Sequence, residues 1–315
     1  PRLDCASVDT QRKLLHDYFV STFDRYTSLF DCLADPRAFY EKPISLRHPL
    51  IFYLGHTATF FINKLLLARL VDARLDEHME STFAVGVDEM SWDDLNDTHY
   101  DWPSVTDVLT YRARVREQVL RIIDHAPLTL PINWQHPWWA IIMGIEHERI
   151  HLETSSVLIR QQKLEWVKPV TGWEPCHAHG KAPLNTLLPV TAGHVTLAKT
   201  RNSPFYGWDN EYGVHEADVP AFEAATYLTS NGEFLEFVEA GGYRNRHHWS
   251  EEGWQWRDFQ NCSQPAFWIK KPNGWHLRLM CEEVPMPWNW PVEVNYHEAK
   301  AFCNWKAATS GQPVR

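Results

Sequence analysis

Residues 146–153 read EHERIHLE, set between the apolar run WWAIIM at 138–143 and the VLI of 157–159. The length of the segment and its good helix formers predict a helix in which His147 and His151 stand one turn apart on one face. With Met143, Ile150, Thr154 and Leu158 expected on the same side, that face is the inward one. An imidazole left without a partner there would cost about 1–3 kcal/mol. One metal ion would satisfy both rings, as would separate hydrogen bonds to neighbours in a packed core.

Working outward, the chain before this stretch predicts three more helices. The first is capped by Asp9 and carries Leu15, Tyr18, Phe19, Phe23, Tyr26, Leu29, Phe30 and Leu33 up to a stop at Asp35-Pro36. The second opens at Pro49 and runs from Leu50 to about Leu70, and Ser104 with Asp107 reads as the capping box of the third. Four helices with one long excursion, 72–102, describe a four-helix bundle, in which metal sites are built from facing inner side chains. His56 lies mid-helix in FYLGHTATFF, beside Gly55, where a ligand or a second backbone can come close. His16, His48 and His125 fall at helix ends or on polar faces, where solvation accounts for them. Three neutral imidazoles, His56, His147 and His151, on two rigid helices would leave open positions on a metal.

Residues 147–151 also match HExxH, with Glu148 in the place of a protease's general base. The metzincin extension is missing, since Thr154 and Val157 stand where Gly and His belong, and the chain soon breaks into Pro and Gly. Glu148 is therefore expected to be solvated or to support the site from outside it.

Composition narrows the class. The chain of 315 residues has 30 Lys plus Arg against 40 Asp plus Glu, a formal charge of -10, and no basic stripe, so nucleic acid is not an expected partner. No signal-peptide pattern and no apolar run sufficient to span a bilayer are read, so no membrane partner and a cytoplasmic location are expected. Cys5, Cys32, Cys176, Cys262, Cys281 and Cys303 lack CxxC pairing, which fits reduced thiols.

Pro169, Gly172, Pro175, Gly180, Pro183 and Pro189 mark 168–189 as a linker between a bundle at 1–167 and a second domain at 190–315. Cys176, His177 and His179 within it lack a fourth ligand and are read as coincidence. The second domain shows strand-like pieces at 193–197 and 266–269, a helix at 230–240 before Gly241-Gly242, and another from Tyr296.

In that half, WDNEYGVH (208–215), TSNGEFLEFVEAGGY (229–243), WSEEGWQW (249–256) and PVEVNYHEAKAFCNW (291–305) resemble formylglycine-generating enzymes, a sulfatase-modifying-factor fold related to C-type lectins. The first half resembles a DinB-type bundle. The fusion, an α+β multidomain chain, is similar to the nonheme iron sulfoxide synthases of thiohistidine biosynthesis. That resemblance implies Fe(II) on His56, His147 and His151, and molecular oxygen as a substrate. RHPLIFYLGHTATFFINK, FAVGVDEMSWDDLNDTHYDWPSV, GIEHERIHLETSSVLIRQ and FYGWDNEYG are most similar to the ovothiol branch, which joins L-cysteine to L-histidine as 5-histidylcysteine sulfoxide. The ergothioneine branch, acting on trimethylhistidine, typically has Gln where Ile150 stands. The acidic excursion (Asp88, Glu89, Asp93, Asp94, Asp97) also lacks arginines for a gamma-glutamyl carboxylate.

Compared with the family the chain stops in mid-domain, so the resemblance implies a catalytic tyrosine, most substrate contacts and often a methyltransferase domain beyond Arg315. Asp209, Asn210 and Glu211 are candidate contacts to an amino-acid substrate, or a self-satisfied turn. Two other classes remain open: a DinB-type metal-dependent thiol transferase, which has no second domain, and a lectin-like binding module with structural histidines.

Overall fold

Helix α1, Val8–Leu29, begins at Ser7, whose Oγ accepts from the Thr10 N–H. Asp9, the expected cap, sits instead in the first turn, where its charge suits the helix dipole. The helix also ends short of Asp35-Pro36; Asp35 caps a separate 3-10 turn, Pro36–Phe39. These features belong to a computed structural model that describes residues 1–84, 100–178 and 180–315. The acidic residues 88–97 and His179 singled out above lie outside the described residues.

Helix α2, Leu50–Leu67, starts behind Pro49 and is buried nearly all round, from Leu50 to Ile62 without interruption. It corrects the expectation that no run is apolar and long enough to cross a bilayer, because it passes that test by length and composition. The physical reason is its central place: 78% of the window is buried inside the protein, and a helix surrounded by helices has no polar face to show. A short α3, Glu77–Thr82, caps on Asp76. Helix α4, Val105–His125, starts at Ser104, whose Oγ accepts from the Asp107 N–H as the capping pattern predicts. Helix α5 is Trp139–Arg160.

Two compact units emerge, one of Pro1–Glu174 with Leu197–His215, the other of Pro175–Thr196 with Glu216–Arg315. Where the sequence places a linker at 168–189 and a second domain from 190, the division thus falls after Glu174, and Leu197–His215 packs with the bundle. Tyr206 lies 4.8 Å from Trp139 and Tyr212 4.7 Å from Trp134, measured between ring centroids. The aromatic density of this segment serves the first unit's packing.

Strands β1 (Leu187–Val190), β2 (Gly193–Lys199), β3 (Gly213–Val219) and β4 (Phe222–Ala225) form two short pairs, β1 with β4 and β2 with β3. In the second unit α6, Asn231–Glu239, opens with a complete Ser230/Glu233 capping box, and α7, Glu251–Gln260, follows. The sequence reading missed α7, although Ser250 caps it and Glu251 and Glu252 fill its first turn. A meander of β5 (Trp268–Lys271), β6 (Gly274–Arg278) and β7 (Glu283–Pro285) precedes α8, Tyr296–Ser310. Phe234, Phe237, Tyr243, Trp249, Ala301 and Phe302 form one core of this unit.

Candidate metal centre

His56 comes from the middle of α2, and His147 and His151 from successive turns of α5. One ligand atom from each lies within 4.8 Å of the others, the one such group of three among the described residues. Each ring leans on an aromatic side chain of α2. Phe60 stacks on His147 at 3.7 Å and 8°, Phe52 on His56 at 4.8 Å, and Tyr53 lies 5.8 Å from His151. The spacing 52, 53, 56, 60 puts these side chains on adjoining turns of one helix, so α2 supplies both a donor and the wall behind all three.

Hydrogen bonding orients the first ring. His56 Nδ1 donates to the Phe83 carbonyl at 2.8 Å, which leaves Nε2 with its lone pair free. Gly55 permits this approach, since a Cβ there would stand 2.5 Å from the Phe83 ring. His147 Nε2 and His151 Nε2 face each other at 3.1 Å, while the Nδ1 atoms of both rings are buried without partners. Burial, and the neighbouring imidazoles after it, hold His147 well below its ordinary value; burial first and His56 second bring His151 down to about 3. His56 is lowered too, by burial against the opposing pull of its Phe83 hydrogen bond.

These donors fit a divalent cation. Three neutral imidazoles turn nitrogens toward one small volume, and two donors each about 2.1 Å from an ion and at right angles to it would stand about 3 Å apart. A single shared proton satisfies one pair of nitrogens, whereas a cation satisfies three.

Several expectations need correction. Ile150 is 45% exposed and Thr154 is exposed, so the inward stripe of α5 runs instead through Ile141, Ile145, Glu148, Ser155 and Ile159. The two histidines stand half-buried at its edge, which is what keeps the site reachable. Glu148 is neither solvated nor aimed at the histidines' nitrogens. It is fully buried, and its Oε1 accepts from Arg112 at 2.9 Å and Thr57 at 3.1 Å, which denies it the position of a protease's general base. His48 is not solvated either: at 3% exposure its ring lies 4.3 Å from Phe52 and 5.5 Å from Tyr100.

Asp209, Asn210 and Glu211 form an exposed 3-10 turn, Asp209–Glu211. Glu211 Oε2 accepts from the Trp208 N–H at 2.6 Å and lies 3.6 Å from Lys199 Nζ; Asp209 Oδ1 accepts from the Asn210 N–H. No hydrogen bond or ion pair among the described residues joins this turn to the three histidines. Arg112, which sequence reasoning passed over, is 1% exposed at the centre of the bundle. Its signal was readable: an arginine in phase with Val108, Val115 and Val119 is a charge on a core stripe.

Residues 18–155 match the DinB superfamily and residues 176–310 the sulfatase-modifying factor enzyme 1-like domain. The chain is 29% identical to a hercynine oxygenase of Mycolicibacterium thermoresistibile over 84% of this chain and 56% of that protein. A hercynine oxygenase of Mycolicibacterium smegmatis is 31% identical over 64% of this chain and 45% of its own length. Ergothioneine biosynthesis protein 1 of Neurospora crassa is 27% identical over 63% of this chain and 24% of its own. The chain thus spans little more than half the length of the first of these relatives, and less of the others. It is a DinB-like helical domain followed by a sulfatase-modifying-factor-type domain, similar in sequence to hercynine oxygenases.

Proposed function

We propose that this chain carries the metal-binding part of a nonheme Fe(II) sulfoxide synthase, with His56, His147 and His151 as ligands. The convergence of three neutral imidazoles in a DinB-like bundle is the observation that carries the reading; the hercynine oxygenase relatives support the reaction class. Fe(II) bound there would supply open coordination positions for a thiolate and oxygen.

The residues themselves hold and orient. Phe52, Tyr53 and Phe60 keep the rings from rotating, and the Phe83 carbonyl holds the His56 tautomer. Neutral rings keep their lone pairs available at physiological pH, a consequence of burial. In the overall reaction a thiol and a ring C–H combine with one oxygen molecule to give a C–S bond, a sulfoxide oxygen and one water. Four electrons leave the organic partners and the same four reduce the oxygen, so no separate reductant is required.

For the substrates we take L-cysteine and L-histidine, giving 5-histidylcysteine sulfoxide. Ile150 supports this choice, because its apolar side chain offers no hydrogen bond to a substrate imidazole of the ergothioneine type. The names of the relatives favour the second reading, in which trimethylhistidine is the acceptor. A cytoplasmic location accompanies either.

Iron stoichiometry, oxygen uptake and product mass test the proposal. Alanine at any one of His56, His147 or His151 should abolish stoichiometric iron with the helical signal retained; iron kept by all three variants overturns the ligand set. Oxygen uptake with cysteine plus histidine, and loss of deuterium from the C5 ring carbon, would support the first substrate pair. Loss of label chiefly from the carbon between the nitrogens, with trimethylhistidine preferred, would establish the second.

A further inference from the structure

Arg112 stands on α4, yet its guanidinium touches each of the other three long helices. NH1 donates to the Leu54 carbonyl at 2.9 Å and to Thr57 Oγ1 at 2.8 Å on α2; NH2 donates to Glu148 at 2.9 Å on α5 and to Thr27 Oγ1 at 2.8 Å on α1. Nε donates to the same Thr27 hydroxyl, and the cation sits 4.2 Å above the Phe23 ring and 5.2 Å from that of Tyr26. The planar fork is thus fully engaged, a geometry that a lysine cannot reproduce.

Two of the three helices it joins, α2 and α5, carry the histidines. Thr57 directly follows His56 and Glu148 directly follows His147, and Thr57 Oγ1 itself donates to Glu148 Oε1 at 3.1 Å. Sliding or rotating α2 against α5 would move the His56 nitrogen relative to the 3.1 Å pair on α5, and it would break these bonds at the same time. Burying an ion pair is a poor route to stability, since well-packed apolar residues in its place are often neutral or better. A directional lock between two helices is a use that apolar side chains cannot fill.

We propose that Arg112 and Glu148 are positioning residues: through Thr57 and Leu54 they fix the register of α2 against α5 and so the spacing of the three histidines. This inference rests on reading those histidines as one metal site. The HExxH glutamate then acts through the helix behind the site, without touching what is bound there.

The test replaces the whole pair, Arg112→Met with Glu148→Leu, and separately makes Arg112→Lys. Three quantities are measured on the full 315-residue chain: the melting temperature, the affinity and absorption spectrum of added Co(II), and the histidine ring-proton signals of the metal-free protein. The double variant should melt at or above the wild-type temperature, yet bind Co(II) about 10–100-fold more weakly with an altered spectrum, the range seen when residues supporting metal ligands are lost. The metal-free His147 signal, displaced by the Phe60 ring face, should move toward its random-coil position. Arg112→Lys should stay folded and lose part of the affinity, and it decides the matter if the double variant does not fold. Wild-type affinity, spectrum and ring signals in a folded variant would overturn the positioning role and leave the metal reading standing. Ring signals that shift in variants of a protein that takes up no Co(II) would sink the metal reading and keep the lock.

Discussion

Helix α2 and the β1–β4 pair are both apolar in sequence, and the protein treats them in opposite ways. In α2 the side chains from Leu50 to Ile62 are buried. In the strands Leu187 is 57% exposed, Leu188 53% and Val190 38%. A helix satisfies its backbone within itself, so apolar residues around its whole circumference can all be spent on packing; a two-stranded pair has one partner and leaves its faces to whatever covers them. Apolar composition alone therefore says little about burial. The number of neighbouring elements decides it, and α2, which carries His56, is packed against other helices along most of its length.

The contrast breaks most visibly at Phe61, fully buried with its ring 5.4 Å from Phe19. Phe61→Ala should destabilise by about 3–5 kcal/mol, whereas Leu188→Ser in β1 should stay within about 0.5 kcal/mol. Chemical denaturation of the two variants measures both, and equal losses would show that the strand pair is packed after all.

Gly144 sharpens the same point one step down. A Cβ there would fall 2.3 Å from Phe61, because α5 and α2 approach at this glycine. Gly144→Ala should cost about 1–3 kcal/mol through displacement of that ring, despite the better helix propensity of alanine. A neutral or stabilised variant would mean that the ring moves freely and that the bundle is less tightly packed than α2's burial implies.

Ser230→Ala, at the capping box of α6 in the second unit, should cost about 1 kcal/mol. A thermal melt shows whether this loss appears in a transition separate from that of the bundle, as expected if the two units unfold independently.

The smallest effect is acid sensitivity at Asp35. Its side-chain and backbone bonds to Arg37 bring the carboxyl down to about 2. A carboxylate lowered in the folded state contributes stability that is present above its unfolded value and lost as pH falls from about 4 toward 2. Asp35→Asn should lower the melting temperature slightly at pH 7, where that contribution is present, and bring the two proteins together as pH falls through the window; an equal acid slope in both proteins would remove Asp35 from the account.

Much of the bundle could be read without coordinates. Pro49, Ser104 with Asp107, and the helical period of α1, α2, α4 and α5 are local signals, each fulfilled within a turn or two of its own residues. The pairing of His147 with His151 is of the same kind, because four residues make about one helical turn. Errors arose where the answer depended on another element. The inward face of α5 was misplaced because Ile150, apolar in sequence, stands 45% exposed while charged Glu148 is fully buried. Hydrophobicity predicts a face only when no ion pair competes for the interior.

By itself, then, the sequence determined the helical period of the first half, the His-x3-His spacing, and the change to strand-like pieces and short helices after the Pro- and Gly-rich segment 168–189, since each depends on neighbours along the chain. Only the tertiary structure decided that His56 meets His147 and His151, that Phe52, Tyr53 and Phe60 wall in all three rings, and that Arg112 takes Glu148 away from the site. Apart from the local Phe52–His56 stack, those contacts join residues 36 to 98 positions apart, and what selects them is the packing of whole helices, in which each guanidinium, carboxylate and ring must find a partner at a distance that no local pattern records.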